Sequence, residues 1–445
     1  MSLLPEQFLE RQRKSFSPEE FDAFAASLDA SPPVSVRLNP MKRIALPGER
    51  VPWCDDGRYL PERPVFTGDP LFHGGAYYVQ EASSMFAGWL AGKALGENAG
   101  PRILDLCAAP GGKTTLLAAV AGRSGTVVAN EAIRSRAGIL AENVKKWGSG
   151  NVAVTSNDPA AFAALDGFFD LVIVDAPCSG EGMFRKDPSS RGEWSPGNVT
   201  LCAARQRRIA ADAWPALREG GVMIYSTCTF NRQENEDNAL WIAGRLGGEI
   251  FLPGDVPEGV EVSDAGYRFY PHKVRGEGFF AAAIHKSGNS ERREPGRKKQ
   301  TGKTAPVTDA ESKELNGWVG EPLTYIAGGD TVYGLTGPMS DTVGALRGNF
   351  NLLYGGVAMG NMIRGELKPS HPLALYHDLD RERVQMSKVD RETALDYLRR
   401  RDIDPAPLPE GLSLVSFEGV GIGWIKRMGR RCNNHYPVGW RIVNY

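Results

Sequence analysis

The chain has 445 residues, with 52 Lys and Arg against 53 Asp and Glu, and its mean hydropathy is -0.31. This length exceeds one typical domain, so we expect two to four folding units. No apolar run approaches the roughly 18 residues of a membrane span, and the N-terminus lacks the apolar core of a signal peptide. These properties argue against a membrane protein, and we expect a cytoplasmic one.

The cysteines are scattered along the chain. They occupy positions 54, 107, 178, 202, 228 and 432, and none belongs to a C-x-x-C pair. This pattern argues against a zinc site and against a secreted disulfide framework. We therefore expect free thiols and no bound metal. The balanced charge does not exclude nucleic acid, because binding depends on where Lys and Arg cluster.

The first two thirds of the sequence predict two domains. Residues 1–95 contain a helical pattern, "SPEEFDAFAASL", and strand candidates such as "VSVRLNP", which indicate a small α+β domain. Residues 96–286 alternate short apolar runs with helical stretches, which is typical of a doubly wound, Rossmann-like sheet. The expected strands are 102–106, 126–130, 152–155, 170–175, 221–226 and 278–284. One helix is expected over 201–217, and another near Asn231, where Glu234 would complete a capping box.

The remaining third predicts a linker and two further domains. Residues 287–305 are basic and polar and read as a linker. We expect an intermediate domain over 306–366 and a terminal domain over 367–445, both mixed α/β. The last stretch carries basic residues interleaved with Trp424, Tyr436 and Trp440, and we predict RNA contacts by Lys426, Arg427, Arg430 and Arg431. A solvated surface with a few core aromatics is the alternative interpretation.

A glycine pair follows the first strand of the predicted sheet, in "LDLCAAPGGKTT". Backbone N–H groups converge at such a turn before a helix, and they favour an anion. A P-loop would need glycine where Cys107 stands. Glu131 follows the second strand, where an acid can bind a ribose diol, although an acid at a helix start is equally expected there. With Asp158 after the third strand, placed for an adenine amino group, the pattern fits S-adenosylmethionine.

Two cysteines follow apolar strands, in "DAPCSGEGM" and "YSTCTF". A methyl donor beside thiols favours methylation of pyrimidine C5, because a thiolate added at C6 makes C5 nucleophilic. Nearby helix starts could supply the modest lowering of the thiol pKa that this requires. Asp175 is the natural group to hold the N3/N4 edge of a cytosine. The spacing alone does not rank Cys178 and Cys228 as nucleophile.

The motifs "DLCAAPGGKT", "NE", "ND", "DAPCSGEGMFRKDP" and "YSTCTFNRQENE" resemble, in order and spacing, those of the RNA cytosine-C5 methyltransferases. The overall layout is similar to the RsmF-type bacterial ribosomal RNA enzymes. The motifs cover roughly residues 101–285, and "LKPSHPLAL" at 367–375 looks like the start of a PUA-like domain. The resemblance implies a Rossmann-like methyltransferase core with an N-terminal α+β domain and C-terminal RNA-binding domains.

The resemblance also implies roles for individual residues. It implies a cofactor site lined by Cys107, Ala108, Ala109, Pro110, Gly111, Gly112, Lys113, Glu131, Arg136, Asp158 and Asp175. It implies that Cys228 is the nucleophile and that Cys178 assists product release. Beside this site, we expect Arg185 and Lys186 to contact RNA phosphates.

The expected function is S-adenosylmethionine-dependent methylation of cytosine C5 in 16S ribosomal RNA, free or in the small subunit, by a monomer. The same chemistry on transfer RNA is the alternative. A nucleotide hydrolase is disfavoured by Cys107 and Glu131, and an inactive RNA-binding protein by the presence of both cysteines.

Overall fold

The structure is a computed structural model, and residues 4–290 and 307–443 are described. Its N-terminal part forms a four-stranded antiparallel sheet, in the order β2-β3-β1-β4, with helices around it. The elements are α1 (Glu6–Arg13), α2 (Pro18–Ser27), β1 (Val34–Leu38), β2 (Glu49–Val51), β3 (Cys54–Leu60), α3 (Pro70–His73), β4 (Tyr77–Val79) and α4 (Phe86–Leu95). The α+β character expected for this region is confirmed.

The central region contains the large sheet. Its elements are β5 (Arg102–Asp105), α5 (Gly112–Ala121), β6 (Thr126–Asn130), α6 (Arg134–Trp147), β7 (Val152–Thr155), β8 (Phe169–Asp175), α7 (Ser190–Glu193), α8 (Pro196–Ala213), β9 (Leu217–Thr227), α9 (Glu236–Leu246), β10 (Gly248–Phe251), β11 (Glu261–Val262), β12 (Tyr267–Phe269) and β13 (Phe279–Lys286). All six expected strands are present, two of them with the predicted bounds.

The C-terminal region completes the chain with two smaller sheets. Its elements are α10 (Asp309–Asn316), β14 (Thr324–Gly328), β15 (Thr331–Leu335), α11 (Gly337–Leu346), β16 (Leu352–Gly355), β17 (Val357–Ile363), β18 (Glu366–Pro369), α12 (His371–Leu375), β19 (Gln385–Lys388), α13 (Arg391–Arg399), β20 (Gly411–Phe417), β21 (Val420–Met428) and β22 (Arg431–Asn434). The sheets have the orders β14-β15-β17-β18 and β19-β20-β21-β22.

The order of the large sheet creates a crevice for a ligand. The order is β11-β12-β13-β9-β8-β5-β6-β7-β16, and β10 also pairs with β13. Strands β7, β6, β5, β8 and β9 are parallel, and β13 is antiparallel to β9. The chain runs outward in opposite directions from β5, through β6 on one side and β8 on the other. Open α/β sheets bind ligands at the carboxyl ends of the strands beside such a reversal.

The structure differs from the sequence-based expectations at one helix start and at one domain boundary. The helix expected to begin near Asn231 begins at Glu236 instead. Asn231 Oδ1 does accept from the Glu234 backbone N–H, at 2.9 Å. The Glu234 carboxylate, however, bonds the Asn231 side chain, Ser179 and Gln206 instead of completing a capping box, and no helix starts there. The expected boundary between residues 366 and 367 falls inside β18, whereas the expected linker lies mostly outside the described residues.

The C-terminal region is packed onto the rest of the chain. Strand β16 extends the large sheet by pairing antiparallel with β7. One apolar cluster contains Leu38 and Tyr77 of the N-terminal sheet together with Leu398 and Tyr436 of the terminal domain. The three parts therefore share buried surface. In the described part of the chain, no helix is long and apolar enough to cross a membrane.

A buried arginine joins the N-terminal sheet to the central region. Arg37 on β1 is 1% exposed, and burial lowers the pKa of its guanidinium to about 10. Its Nε donates to Gln80 Oε1 at 2.8 Å, and its Nη2 donates to Thr115 Oγ1 at 2.6 Å. It also stacks on Trp147, 4.6 Å from the ring centroid. Arg37 thus ties β1 to α5 and α6.

We expect Arg37→Ala to lower the free energy of unfolding by about 3 kcal/mol, because it leaves a cavity and removes the partners of two buried polar groups. Urea denaturation followed by tryptophan fluorescence would measure the change. The matched control is Arg50→Ala, which removes an exposed ion pair with Asp55 in the same domain and should cost less than about 1 kcal/mol. Equal effects of the two changes would contradict the bridging role of Arg37.

Candidate active site

The predicted cofactor residues lie at one edge of the large sheet. Loop 107–113 follows β5, Glu131 follows β6 and Asp158 comes shortly after β7, while Asp175 is the last residue of β8. These four strands are adjacent and parallel in the order β7-β6-β5-β8. Because parallel strands end at the same edge, the fold brings these residues together from four separate segments.

The glycine loop is held by its own backbone geometry and by α6. Gly111 has φ +115°, a conformation that favours glycine, and α5 begins at the next residue. Arg136 Nη2 donates to the Ala109 carbonyl at 3.0 Å, and Asn143 Nδ2 donates to the Pro110 carbonyl at 2.8 Å. The loop is therefore fixed before any ligand is bound.

Glu131 has the properties of a ribose ligand. It is 4% exposed, and its Oε1 accepts from the Ile133 backbone N–H at 2.9 Å. Its Oε2 lies 3.4 Å from Arg136 Nη1 and is buried without a hydrogen bond to any described residue. An unsatisfied buried carboxylate oxygen is costly, and a ribose hydroxyl would satisfy it. Asp158 is exposed, and its Oδ1 accepts from the Ala160 backbone N–H at 3.0 Å.

The two predicted active-site thiols are in contact. Sγ of Cys178, in the loop after β8, lies 3.2 Å from Sγ of Cys228, in the loop after β9, and both are free cysteines. The hydrogen bond with Cys228, together with burial, raises the pKa of Cys178 well above its usual value, so the Cys178 thiol keeps its proton. Among the described residues, no group of three His, Cys, Asp or Glu could hold a metal.

An ion pair lies beside the thiols. Lys113 Nζ donates to Asp175 Oδ2 at 2.8 Å, and Ser226 Oγ donates to Asp175 Oδ1 at 2.8 Å. Burial would lower the pKa of Lys113, but Asp175 and, to a smaller degree, Asp105 and Cys228 raise it overall. Lys113 is therefore held as a cation, and it interacts electrostatically with Cys228. From the sequence, we expected helix starts to favour the thiolate. In the structure, the Lys113 ammonium is a charged group that can do so.

Glu234 is a site residue that the sequence reasoning missed. It is fully buried, and its Oε2 accepts from the Ser179 backbone N–H at 2.9 Å and from Gln206 Nε2 at 2.7 Å. Its Oε1 accepts from Asn231 Nδ2 at 2.7 Å and from Ser179 Oγ. This carboxylate holds the residue next to Cys178. The signal was present in "NRQENE", but we assigned Glu234 to a capping box.

A second buried carboxylate, Glu181, joins the same two loops. Its Oε2 accepts from the Phe230 backbone N–H at 2.9 Å, and its Oε1 accepts from Trp194 Nε1 at 3.0 Å. The Gly182 backbone N–H donates to the Cys228 carbonyl at 2.9 Å. The loops that carry the thiols are therefore bonded to each other on both sides of the sulfur contact.

The prediction for Arg185 is wrong. Its Nε donates to Glu277 Oε2 at 3.0 Å, its Nη2 donates to the Gly276 carbonyl, and both charged side chains are only 6% exposed. A buried cation with its own carboxylate is not available to phosphates. Lys186 is exposed, so it can still act as predicted.

The terminal basic residues are mostly exposed. Lys426, Arg430 and Arg431 are exposed side chains on or between β21 and β22. The Arg427 guanidinium already has partners within the protein. Its Nε donates to the Gly429 carbonyl at 3.1 Å and lies 3.4 Å from the Glu410 carboxylate. The interleaved aromatics are not a stacking surface: Trp424 and Tyr436 are buried, with 1% and 0% exposure. The alternative of core aromatics is thus correct for these two.

Comparison with known families covers most of the chain. Residues 93–285 match the family described as 16S rRNA methyltransferase RsmB/F. Residues 4–82 match the N-terminal domain of 16S rRNA methyltransferase RsmF, and residues 387–442 match the methyltransferase RsmF PUA domain.

Individual relatives agree with these matches. The chain is 32% identical to ribosomal RNA small subunit methyltransferase F of Pectobacterium atrosepticum, over 98% of this chain and 95% of that protein. It is 33% identical to the Citrobacter koseri protein of the same name, over 97% and 95%. A methyltransferase homolog from Pyrococcus horikoshii has 26% identity and a TM-score of 0.52, over 64% of this chain and all of that one.

A further solved structure supports the fold alone. NSun6 from Pyrococcus horikoshii, determined with SFG, is 22% identical and has a TM-score of 0.55, over 64% of this chain and 99% of that one. The strand order and these likenesses agree on the fold of the central region. The chain belongs to the RsmF family of 16S rRNA methyltransferases and has the fold of the S-adenosylmethionine-dependent methyltransferases.

Proposed function

We propose that this enzyme methylates C5 of cytosine in 16S ribosomal RNA through a covalent cysteine adduct. The observation that carries the proposal is the 3.2 Å contact between the sulfurs of Cys178 and Cys228 beside the Lys113–Asp175 ion pair. Oxygen and nitrogen acceptors need no thiol. Two thiols in contact fit a reaction in which one sulfur bonds the ring and the other helps to free it.

The residues at the strand ends fit S-adenosylmethionine, which supplies an electrophilic methyl group when bound. The free Glu131 Oε2 would accept from the ribose hydroxyls, and loop 107–113 would lie against the rest of the molecule. Arg136 would act indirectly, because it bonds both Glu131 and the loop. The exposed Asp158 would face the adenine. Burial raises the pKa of Cys107, so its thiol lines the site without reacting.

Cys228 is the proposed nucleophile. Its sulfur accepts the hydrogen bond of the protonated Cys178, and the Lys113 ammonium favours negative charge nearby. Its electron pair forms the bond to C6 of cytosine, and the C5–C6 double bond becomes nucleophilic at C5.

Asp175 is placed to hold the base during this step. Its side chain is 35% exposed, so the carboxylate can accept from the cytosine N4 amino group while it bonds Lys113. The Lys113 proton then stays beside the N3/N4 edge, where negative charge develops as Cys228 adds to the ring.

Once C5 carries the methyl group, release requires transfer of the C5 proton to a base and departure of the Cys228 sulfur with the C6–S electron pair. The C5–H electron pair then restores the ring double bond. The Cys178 sulfur touches that of Cys228 and is the group placed to assist. Its raised pKa suits a proton carrier better than a competing nucleophile.

The substrate assignment rests on the family and on exposed basic residues. Lys186 lies in the segment that follows the Cys178 loop, and Lys426, Arg430 and Arg431 lie on the terminal domain. We propose that they contact phosphates while the target base leaves its stack to reach the thiols. We further propose that the enzyme acts as a cytoplasmic monomer on 16S ribosomal RNA or the small subunit.

We expect Cys228→Ser to reduce methyl transfer at least about 1000-fold, because the C6 adduct cannot form. Cys178→Ser should instead accumulate a covalent complex with RNA, because the adduct forms but is not resolved. A denaturing gel would detect this complex as a slowly migrating band, and transfer of radioactive methyl groups would measure activity.

The matched control is Cys432→Ser, a half-buried cysteine on β22, which should leave both activity and gel mobility unchanged. The role assignment is wrong if Cys178→Ser turns over normally while Cys228→Ser keeps its activity.

We expect Glu131→Gln to weaken S-adenosylmethionine binding at least about tenfold, because the amide retains the bond to Ile133 N–H but loses the charged acceptor for ribose. Isothermal titration calorimetry would measure the dissociation constant. Glu142→Gln, an exposed change on the neighbouring α6, should bind as the unaltered chain does. An unchanged affinity for Glu131→Gln would remove this residue from the cofactor site.

We expect bisulfite sequencing to show 5-methylcytosine in 16S ribosomal RNA from the source strain and its loss at one or more positions in a deletion strain. Expression of the intact chain should restore the modification, whereas expression of Cys228→Ser should not. An unchanged 16S map would refute the substrate assignment, and a loss confined to transfer RNA would establish the alternative substrate.

A further inference from the structure

A second cavity lies outside the cofactor site, between the N-terminal domain and α6. Its volume is about 240 Å³. The lining is aromatic and basic, and the residues that matter here are Arg63, Phe66, Phe72, Tyr78, Lys146 and Trp147. No Asp or Glu contributes to the wall in the described part of the chain.

The two cations of this cavity have aromatic neighbours, and Lys146 also interacts electrostatically with Glu142, one turn earlier on α6. Lys146 Nζ lies 4.9 Å from the ring centroid of Phe72 and 5.5 Å from that of Trp440. The Arg63 guanidinium lies 5.5 Å from the ring of Phe66. Within residues 4–290 and 307–443, neither cation forms an ion pair. Burial lowers the pKa of Lys146, so an anion at this place would stabilise the charged form.

The cavity shares residues with the supports of the cofactor loop. Asn143 lines the cavity and also donates to the Pro110 carbonyl of that loop. The ring of Tyr78 packs against Gly112 of the same loop. A Cβ atom added to this glycine would lie only 3.4 Å from Tyr78 Cε1. Residues of the cavity wall therefore also support the loop. Lys146 of the wall contacts the ring of Trp440, which belongs to the terminal domain.

We propose that this cavity binds an unstacked base of the RNA substrate, with Arg63 and Lys146 on the adjoining phosphates; the inference rests on the proposed function. Aromatic walls stack nucleobases regardless of sequence, and cations outside ion pairs bind the backbone. The cavity volume is below the roughly 300 Å³ at which pockets for drug-sized ligands begin. A cavity of this size suits a single nucleobase and not a larger ligand. The contact would anchor RNA on the N-terminal domain while another nucleotide reaches the thiols.

The test measures RNA binding without S-adenosylmethionine, so it does not depend on methylation. Full-length variants Arg63→Gln, Lys146→Met and Phe66→Leu are titrated with transcribed 16S ribosomal RNA by filter binding at several salt concentrations. Arg63→Gln and Lys146→Met should each weaken binding about tenfold and lower the salt slope by about 0.7, the value per phosphate for single strands. Phe66→Leu should weaken binding about tenfold with an unchanged slope.

The control variant is Lys145→Met on the same helix. Lys145 lies 5.2 Å from the ring of Tyr354 instead and does not line the cavity, so binding and slope should stay unchanged. Melting temperature and S-adenosylmethionine affinity verify that each variant is folded. Arg63 is exposed, so Arg63→Gln remains a valid test even if the other changes disturb packing.

The outcomes separate this inference from the proposed function. If the unaltered chain binds 16S RNA and Arg63→Gln binds equally with the same salt slope, the base pocket is wrong and the proposed chemistry stands. If Lys145→Met weakens binding as much as Lys146→Met, the effect is a general loss of charge and the pocket is again wrong. If the unaltered chain binds no 16S RNA, the substrate assignment fails and the pocket inference fails with it.

Discussion

The buried carboxylate of Glu234 keeps the loop after β8 in place beside the loop after β9. It accepts hydrogen bonds from Ser179, Asn231 and Gln206, which come from three different segments. A carboxylate without solvent is strongly unfavourable unless such donors surround it. Any displacement of the Cys178 loop would break several of these bonds at once. The sulfur contact is therefore imposed by the surrounding fold, and the thiols need not hold it themselves.

All of these donors to Glu234 are neutral, whereas Asp175 bonds the Lys113 ammonium at 2.8 Å. Under the proposed mechanism the two thiols differ because of their neighbours. The hydrogen bond with Cys228 and burial keep Cys178 protonated, whereas Cys228 interacts electrostatically with Lys113. The sequence could not reveal this difference between the two thiols, because each cysteine follows an apolar strand in the same way.

Features set by local pattern were predictable, whereas features set by distant partners were not. Strands 126–130 and 152–155 were predicted to the residue, because every position in them is buried and apolar runs of that length form inner parallel strands. Arg185 was misjudged because its partner Glu277 comes 92 positions later. The pairing of β16 with β7 joins segments that are still farther apart in sequence. The glycine loop was recognisable because its backbone conformation requires specific residues in sequence.

The burial of Arg185 also changes where RNA can be held. With this guanidinium bonded to Glu277, the segment after the Cys178 loop offers the exposed Lys186 to phosphates. Further exposed cations lie elsewhere on the described surface, including Arg63 in the N-terminal domain, Arg205 and Arg208 on α8, and the terminal strands. A chain with a net charge of -1 can therefore bind a polyanion only through separated local clusters. Under the proposed function, the flanking domains supply the affinity for RNA, and the loops after β8 and β9 hold one base.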